Sequence, residues 1–282
     1  MTLFITDSFL SAQGIEKDQY LSSLLMPLEA HELHDFDVLW SENLPLQKSM
    51  KRIRERLLKP THSSINIIAH GKGGLDTLEC LLRYPELLTR VNRLIFVQSP
   101  FWGTPLADFL VGHAVISPMV QLISWFKGVP FKAIEELSEL SRQVYMIVNR
   151  EKIQKLLSEI PTMTIGTSLE MPFQSITVSE KLMKSVHRLV SKYSGPHDGW
   201  VPLFSTRLST ESHIQWENTS HWDLAAGEKS AEIKNLIYQF INDPHISVKP
   251  LELAESPAKF PWGPSEEHSD SRLDRSYQLE IS

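Results

Sequence analysis

The chain has 282 residues, 41% of them hydrophobic, and a formal net charge of −6. That length and apolar content bury one substantial core, which fits one main domain with additions better than two independent domains. The negative balance gives no electrostatic footprint for nucleic acid, and a single cysteine, Cys80, excludes an intrachain disulfide and any argument for an oxidising compartment.

The N-terminal MTLFITDSFLSAQG has no basic leader and carries Asp7 within its apolar stretch. It reads as a first buried strand, LFIT, rather than a secretory signal, and a cytoplasmic location is expected. KSMKRIRERLLKP is locally basic, but Met50, Ile53 and Leu57 share one helical face, so its charges form the solvated side of an amphipathic helix. The β-branched run INIIA predicts a strand from Ile65 that stops at small residues, and LDTLECLLRY continues as a helix. Cys80 stands there among Leu78, Leu81 and Leu82, as a small buried hydrophobe. RLIFVQ, Arg93 to Gln98, is the next strand. Near-continuous apolar strands alternating with amphipathic helices predict an α/β class, with a mostly parallel sheet covered on both faces. Such sheets bind ligands at the carboxyl ends of their strands.

From about Leu106 to Lys155 the pattern is helical with no clear strand, which predicts an insertion over residues 106–155 above that edge. Its apolar part, FLVGHAVISPMVQLISWF, approaches the lower length of a membrane span but is broken by Gly112 and Pro118, so no transmembrane segment is expected. Strand signals return at PTMTIG and HIQWEN, and AEIKNLIYQFI is the closing helix of a domain over residues 1–242. Residues 243–282 are rich in proline, serine and charge and read as an extended or partly disordered tail. Leu251, Leu253, Phe260 and Trp262 supply enough apolar surface for the tail to dock on the domain or on a protein partner.

Strand, sharp turn and helix meet at Ala69, His70, Gly71, Lys72 and Gly73, the setting of a nucleophile elbow, whose usual form is GxSxG. Gly71 stands where the serine belongs. GPHDGWVP offers Asp198 in a tight turn, and NTSHWDL offers His221 just after a strand. Serine-hydrolase chemistry needs a hydroxyl, an imidazole to take its proton and a carboxylate to fix the imidazole tautomer. In α/β-hydrolases the chain order is nucleophile, acid, histidine. His113, His187, His197 and His213 form no zinc spacing, and neither a GxGxxG nor a P-loop is present, so no metal and no cofactor are expected.

INIIAHGKGGLD resembles the elbow of bacterial triacylglycerol lipases and related esterases, GHSxGGLD. VQSPFWGTPLADF resembles their STPHRGTPxADF segment, PHDGWVP is similar to the NDGxVP that bears their acid, and SHWDL is similar to the HxD that bears their histidine. The four segments keep the family's order across most of residues 1–242. The resemblance implies an α/β-hydrolase fold, Asp198 as acid, His221 as base and Gly71 in a vacant nucleophile position. It also implies an acyl ester or lipid-like ligand and transient contact with a lipid surface. The family's HGFxG loop is best matched by Asp7, Ser8, Phe9 and Leu10; aligned so, the amides of Phe9 and Lys72 form the oxyanion hole, with the Asp7 carboxylate opposing charge there. Substrate contacts are expected from Phe101 and Trp102 and, on a lid, from Met119, Leu122, Ile123, Trp125 and Phe126; the alternative is that this apolar stripe only packs on the core. Ser8 and Ser99 read as turn serines, and His70 as a packed side chain beneath the elbow. The expected function is a lipase- or esterase-like hydrolase scaffold, inactive or strongly impaired for want of a nucleophile. The alternative is a natural pseudoenzyme binding a lipid, an acyl ligand or a protein through the same cleft.

Overall fold

The computed structural model describes residues 1–6, 36–40, 44–60, 64–112, 130–170, 187, 188, 190–210, 212–221 and 230–243. The chain divides into two compact units, Met1–Leu251 and Glu252–Ser282, and every described residue belongs to the first. Among the described residues six strands form one sheet: β1 (Thr2–Thr6), β2 (Phe36–Trp40), β3 (Ile65–His70), β4 (Val91–Val97), β5 (Thr162–Thr167) and β6 (Ser212–Trp216). Their order is β2-β1-β3-β4-β5-β6, and every neighbouring pair is parallel. β2, FDVLW, lies outside the expected strands: its short run with Asp37 at the sheet edge lacks the continuous apolar signal of the central strands.

The helices bounded within the described residues are α1 (Leu46–Leu57), α2 (Lys72–Arg83), α3 (Pro105–Gly112), α4 (Phe131–Glu135), α5 (Glu139–Val148), α6 (Arg150–Glu159) and α7 (Ser230–Asn242). Because strand side chains alternate between faces, each central strand feeds two cores. Leu3, Ile5, Ile65, Ile67, Leu94 and Phe96 join the side chains of α1, α2 and α6 on one face. Phe4, Ile68, Ile95 and Val97 meet α7 on the other. In α7, Ile233, Ile237, Phe240 and Ile241 repeat at helical spacing, so one stripe of that helix packs against this face. Each such fully buried side chain contributes about 1.5–3 kcal/mol of transfer free energy.

Helices occupy the described part of the span 106–155. From Met146 onward they are core rather than cover, since Met146, Ile153, Leu156 and Ile160 pack in the same cluster as the strands beside α2. Among the described residues no helix is long and apolar enough to cross a membrane. β1 lies between β2 and β3, so the chain's direction of growth across the sheet reverses there. The carboxyl ends of β1 and β3 therefore flank the topological switch point where ligands of such sheets bind.

Candidate active site

β3 ends at His70 and α2 begins at Lys72, leaving Gly71 alone to make the turn at φ 55° and ψ −130°. A side chain makes that left-handed backbone costly, and glycine holds it without strain. The turn is tight because α2 runs hard against β1: a Cβ on Gly73 would stand 2.8 Å from the Ile5 carbonyl oxygen. The amide of Gly71 donates to the Val97 carbonyl at 2.9 Å, which extends the β3–β4 ladder to the tip of the bend.

Asp198 and His221 come together. His221 Nδ1 donates to Asp198 Oδ2 at 2.7 Å, and the His221 amide donates to the Asp198 carbonyl at 3.0 Å. The other carboxylate oxygen, Oδ1, accepts the amides of Trp200 at 2.9 Å and Val201 at 2.8 Å. Asp198 is 1% exposed and His221 5% exposed, so this carboxylate is held by three donors with almost no water. Since the carboxylate accepts the Nδ1–H, Nε2 is the basic nitrogen of the neutral ring. The imidazole is also fixed from below. His70 lies with its ring centroid 4.7 Å from that of His221 and donates from Nε2 to Gln98 Oε1 at 3.0 Å. Gln98 Nε2 in turn donates to the Ser220 carbonyl at 3.1 Å and to Thr167 Oγ1.

Gly71, Lys72 and His221 line one cleft of about 90 Å³, with Thr104 and Trp200 and a wall that includes Leu106, Leu110, Ile134 and Leu137. The Lys72 side chain is buried away from it, its Nζ donating to Asp76 Oδ1 at 2.7 Å and to the Leu44 carbonyl at 3.0 Å. Ser49 Oγ donates to Asp76 Oδ2 at 2.6 Å, and Glu136 Oε2 lies 3.6 Å from Lys72 Nζ. Burial pushes the Asp76 and Glu136 carboxyls up from their ordinary values, and Lys72 works against that shift in both.

Several expected site residues lie elsewhere. Phe101 is fully buried and packs edge-on against Phe96 at 5.2 Å, which places it in the core rather than on the cleft. Trp102 faces the 203–207 segment, its Nε1 donating to the Arg207 carbonyl at 3.0 Å and its amide to Ser205 Oγ at 3.1 Å. Ser99 is 1% exposed and donates to the Val97 carbonyl at 3.3 Å; a Cβ on Gly74 would come within 2.0 Å of its Oγ, so it is wedged against α2. Cys80 is buried, with its thiol pushed up to about 12 by desolvation. Asp7, Ser8, Phe9, Met119, Leu122, Ile123, Trp125 and Phe126 lie outside the described residues. Sequence reasoning missed Trp200, although it follows Asp198 by two in the same turn. It also missed Gln98, whose signal is structural: a buried non-glycine residue at φ 48°. Among the described residues no group of three or more His, Cys, Asp or Glu is arranged to hold a metal ion.

No protein-family model matches the chain, and no curated protein matches it in sequence. Solved structures do. The mature form of the lipase BlEst2 of Bacillus licheniformis is similar with a TM-score of 0.61 at 15% identity, over 84% of this chain and 90% of that one. The metagenomic carboxyl esterase MGS0156 is similar with a TM-score of 0.59 at 14% identity, over 86% of this chain and 75% of that one. Lipase 1 of Pelosinus fermentans is similar with a TM-score of 0.54 at 12% identity, over 85% and 98%. Together with the parallel sheet, the sharp β3–α2 turn and the Asp–His pair beyond the last strands, these likenesses identify the fold: the chain is an α/β-hydrolase fold of the kind found in bacterial lipases and esterases.

Proposed function

We propose that the chain carries a carboxylic-ester hydrolase site whose nucleophile position is Gly71, so that as an ester hydrolase it is inactive or strongly impaired. The observation that carries this reading is the buried Asp198–His221 pair, at 2.7 Å, whose imidazole lines the same cleft as the left-handed Gly71. In the reaction such a site performs, a hydroxyl at the turn attacks the ester carbonyl and gives its proton to His221 Nε2. Asp198 holds the resulting imidazolium, and the Lys72 amide at the N-terminus of α2 donates to the developing oxyanion. The Phe9 amide is assigned the second donor on the sequence resemblance alone. Without the hydroxyl the turn offers no nucleophile, and about 10⁶-fold in turnover goes with it.

The test is Gly71→Ser assayed on p-nitrophenyl esters of graded acyl length. Turnover well above the parent chain, lost again on His221→Ala, is expected; a folded Gly71→Ser variant with no turnover above background refutes the assignment. A second reading rests on the cleft's wall: Leu106, Leu110, Ile134 and Leu137 give an apolar surface suited to holding an acyl chain without cleaving it. In that reading the chain is a pseudoenzyme, and native mass spectrometry of the purified protein finds a retained acyl ligand; an empty chain whose Gly71→Ser variant is active counts against it.

A further inference from the structure

Behind the turn that bears Asp198 lies a second set of imidazoles with a serine between them, and none of its three side chains takes part in the site above. Ser191 is exposed, whereas His187 is 7% exposed and His197 1% exposed. Ser191 Oγ lies 2.8 Å from His197 Nε2 and 3.2 Å from His187 Nδ1, and the two rings are 4.2 Å apart.

The backbone partners settle where the protons are. His197 Nδ1 accepts the Gly199 amide at 3.0 Å, so that nitrogen carries no hydrogen and Nε2 does. His187 Nε2 lies 3.1 Å from the Leu169 carbonyl, which can only accept, so Nε2 carries the hydrogen and Nδ1 of the neutral ring is a base. One arrangement follows: His197 Nε2 donates into Ser191 Oγ, and Ser191 donates its own proton to His187 Nδ1. Burial, with His187 nearby, pushes His197 down to about 4 against the pull of Asp198, so this ring stays neutral at neutral pH.

We propose that Ser191 is an activated nucleophile, with His187 as its general base and His197 as a hydrogen-bond donor to its oxygen, that takes acyl or phosphonyl groups from donors with good leaving groups. A nucleophile, a base within reach and a third group orienting the base are the parts that covalent catalysis requires, and here the third group is the Leu169 carbonyl. With an aryl ester, the Oγ–C bond forms, the serine proton passes to His187 Nδ1, and the C–O bond to the leaving phenolate breaks. With a phosphonofluoridate, the Oγ–P bond forms, the P–F bond breaks, fluoride departs and the same proton goes to His187. The site does not depend on Gly71, so it stands or falls separately from the ester-hydrolase assignment.

The full-length protein, treated with an alkyl phosphonofluoridate and mapped by peptide mass spectrometry, is expected to carry an adduct on Ser191. Ser191→Ala removes it, and His187→Gln slows its formation by about 100-fold or more. No adduct on folded protein, an adduct only at other residues, or an unchanged rate in a folded His187→Gln variant overturns the proposal. If His187→Gln does not fold, Ser191→Cys decides: its alkylation by iodoacetamide is expected to have a pH midpoint below the ordinary thiol value of about 8.5, and a midpoint at or above that overturns it. Cys80 is a silent background in that measurement because it is buried and its thiol titrates at about 12.

Discussion

Gly71 shows how one position can serve backbone geometry and chemistry in opposite ways. At φ 55° a residue with a Cβ costs of order 1–3 kcal/mol, so Gly71→Ser is expected to lower the thermal midpoint while it raises ester turnover. On that background, Asp198→Asn is expected to reduce turnover about 10⁴-fold, because an amide leaves the imidazole in the wrong tautomer; steady-state kinetics on one aryl ester check this. Gln98 acts one layer further out. Its amide orientation is dictated by the Ser220 carbonyl, which only an N–H can meet, and that leaves Oε1 to receive His70. Gln98→Ala removes these contacts and the one to Thr167 and leaves buried partners unsatisfied, at about 1–3 kcal/mol in denaturant unfolding. In the Gly71→Ser background it is expected to lower kcat with little change in KM, since it orients the base and does not touch the ester.

Among the elements, α2 is constrained at its first turn, which approaches β1 closely beside the bend at Gly71. Gly73→Ala places a Cβ 2.8 Å from the Ile5 carbonyl oxygen, and the overpacking is expected to cost about 1–3 kcal/mol by urea unfolding. The N-terminus of α5 gives a pH-dependent expectation. Burial, reinforced by Asp108, raises the Glu139 carboxyl from 4.5 to about 7. The folded state then holds that proton more tightly than the unfolded state does, so the contribution to stability is fully present below pH 4.5 and is lost as the pH rises through 7. Glu139→Gln, which stays neutral, is therefore expected to gain stability relative to the parent chain at pH 8 but not at pH 4. After allowance for solvent screening the difference is on the order of 1 kcal/mol, read from thermal midpoints at the two pH values.

Across the molecule, the strands and helices that were legible in the sequence are those with a strong period. INIIA and RLIFVQ are near-continuous apolar runs because they lie inside the sheet, PTMTIG alternates β-branched threonines with Met163 and Ile165, and AEIKNLIYQFI carries its stripe because one face of it packs on that sheet. β2 was not legible, since an edge strand with Asp37 needs no such run. Asp198 and His221 were legible as turn and post-strand residues in a known order, but Phe101 was misassigned to the cleft. A local motif says which loop a ring belongs to, and only the packing of Phe96 beside it decides that the ring turns inward. The Ser191–His187–His197 cluster was illegible as a reactive group because its logic lies in backbone partners, the Gly199 amide and the Leu169 carbonyl, that spacing does not reveal. The central proposal is that the tip of the β3–α2 bend shares a cleft with His221, so that a hydroxyl placed there would reach its imidazole. Its most direct measurement is a crystal structure of the Gly71→Ser variant: the account predicts the introduced hydroxyl oxygen within about 2.6–3.2 Å of His221 Nε2 with the Asp198 contact intact. A hydroxyl turned away from an unmoved His221, with no space between them for a hydrogen bond to form, contradicts it.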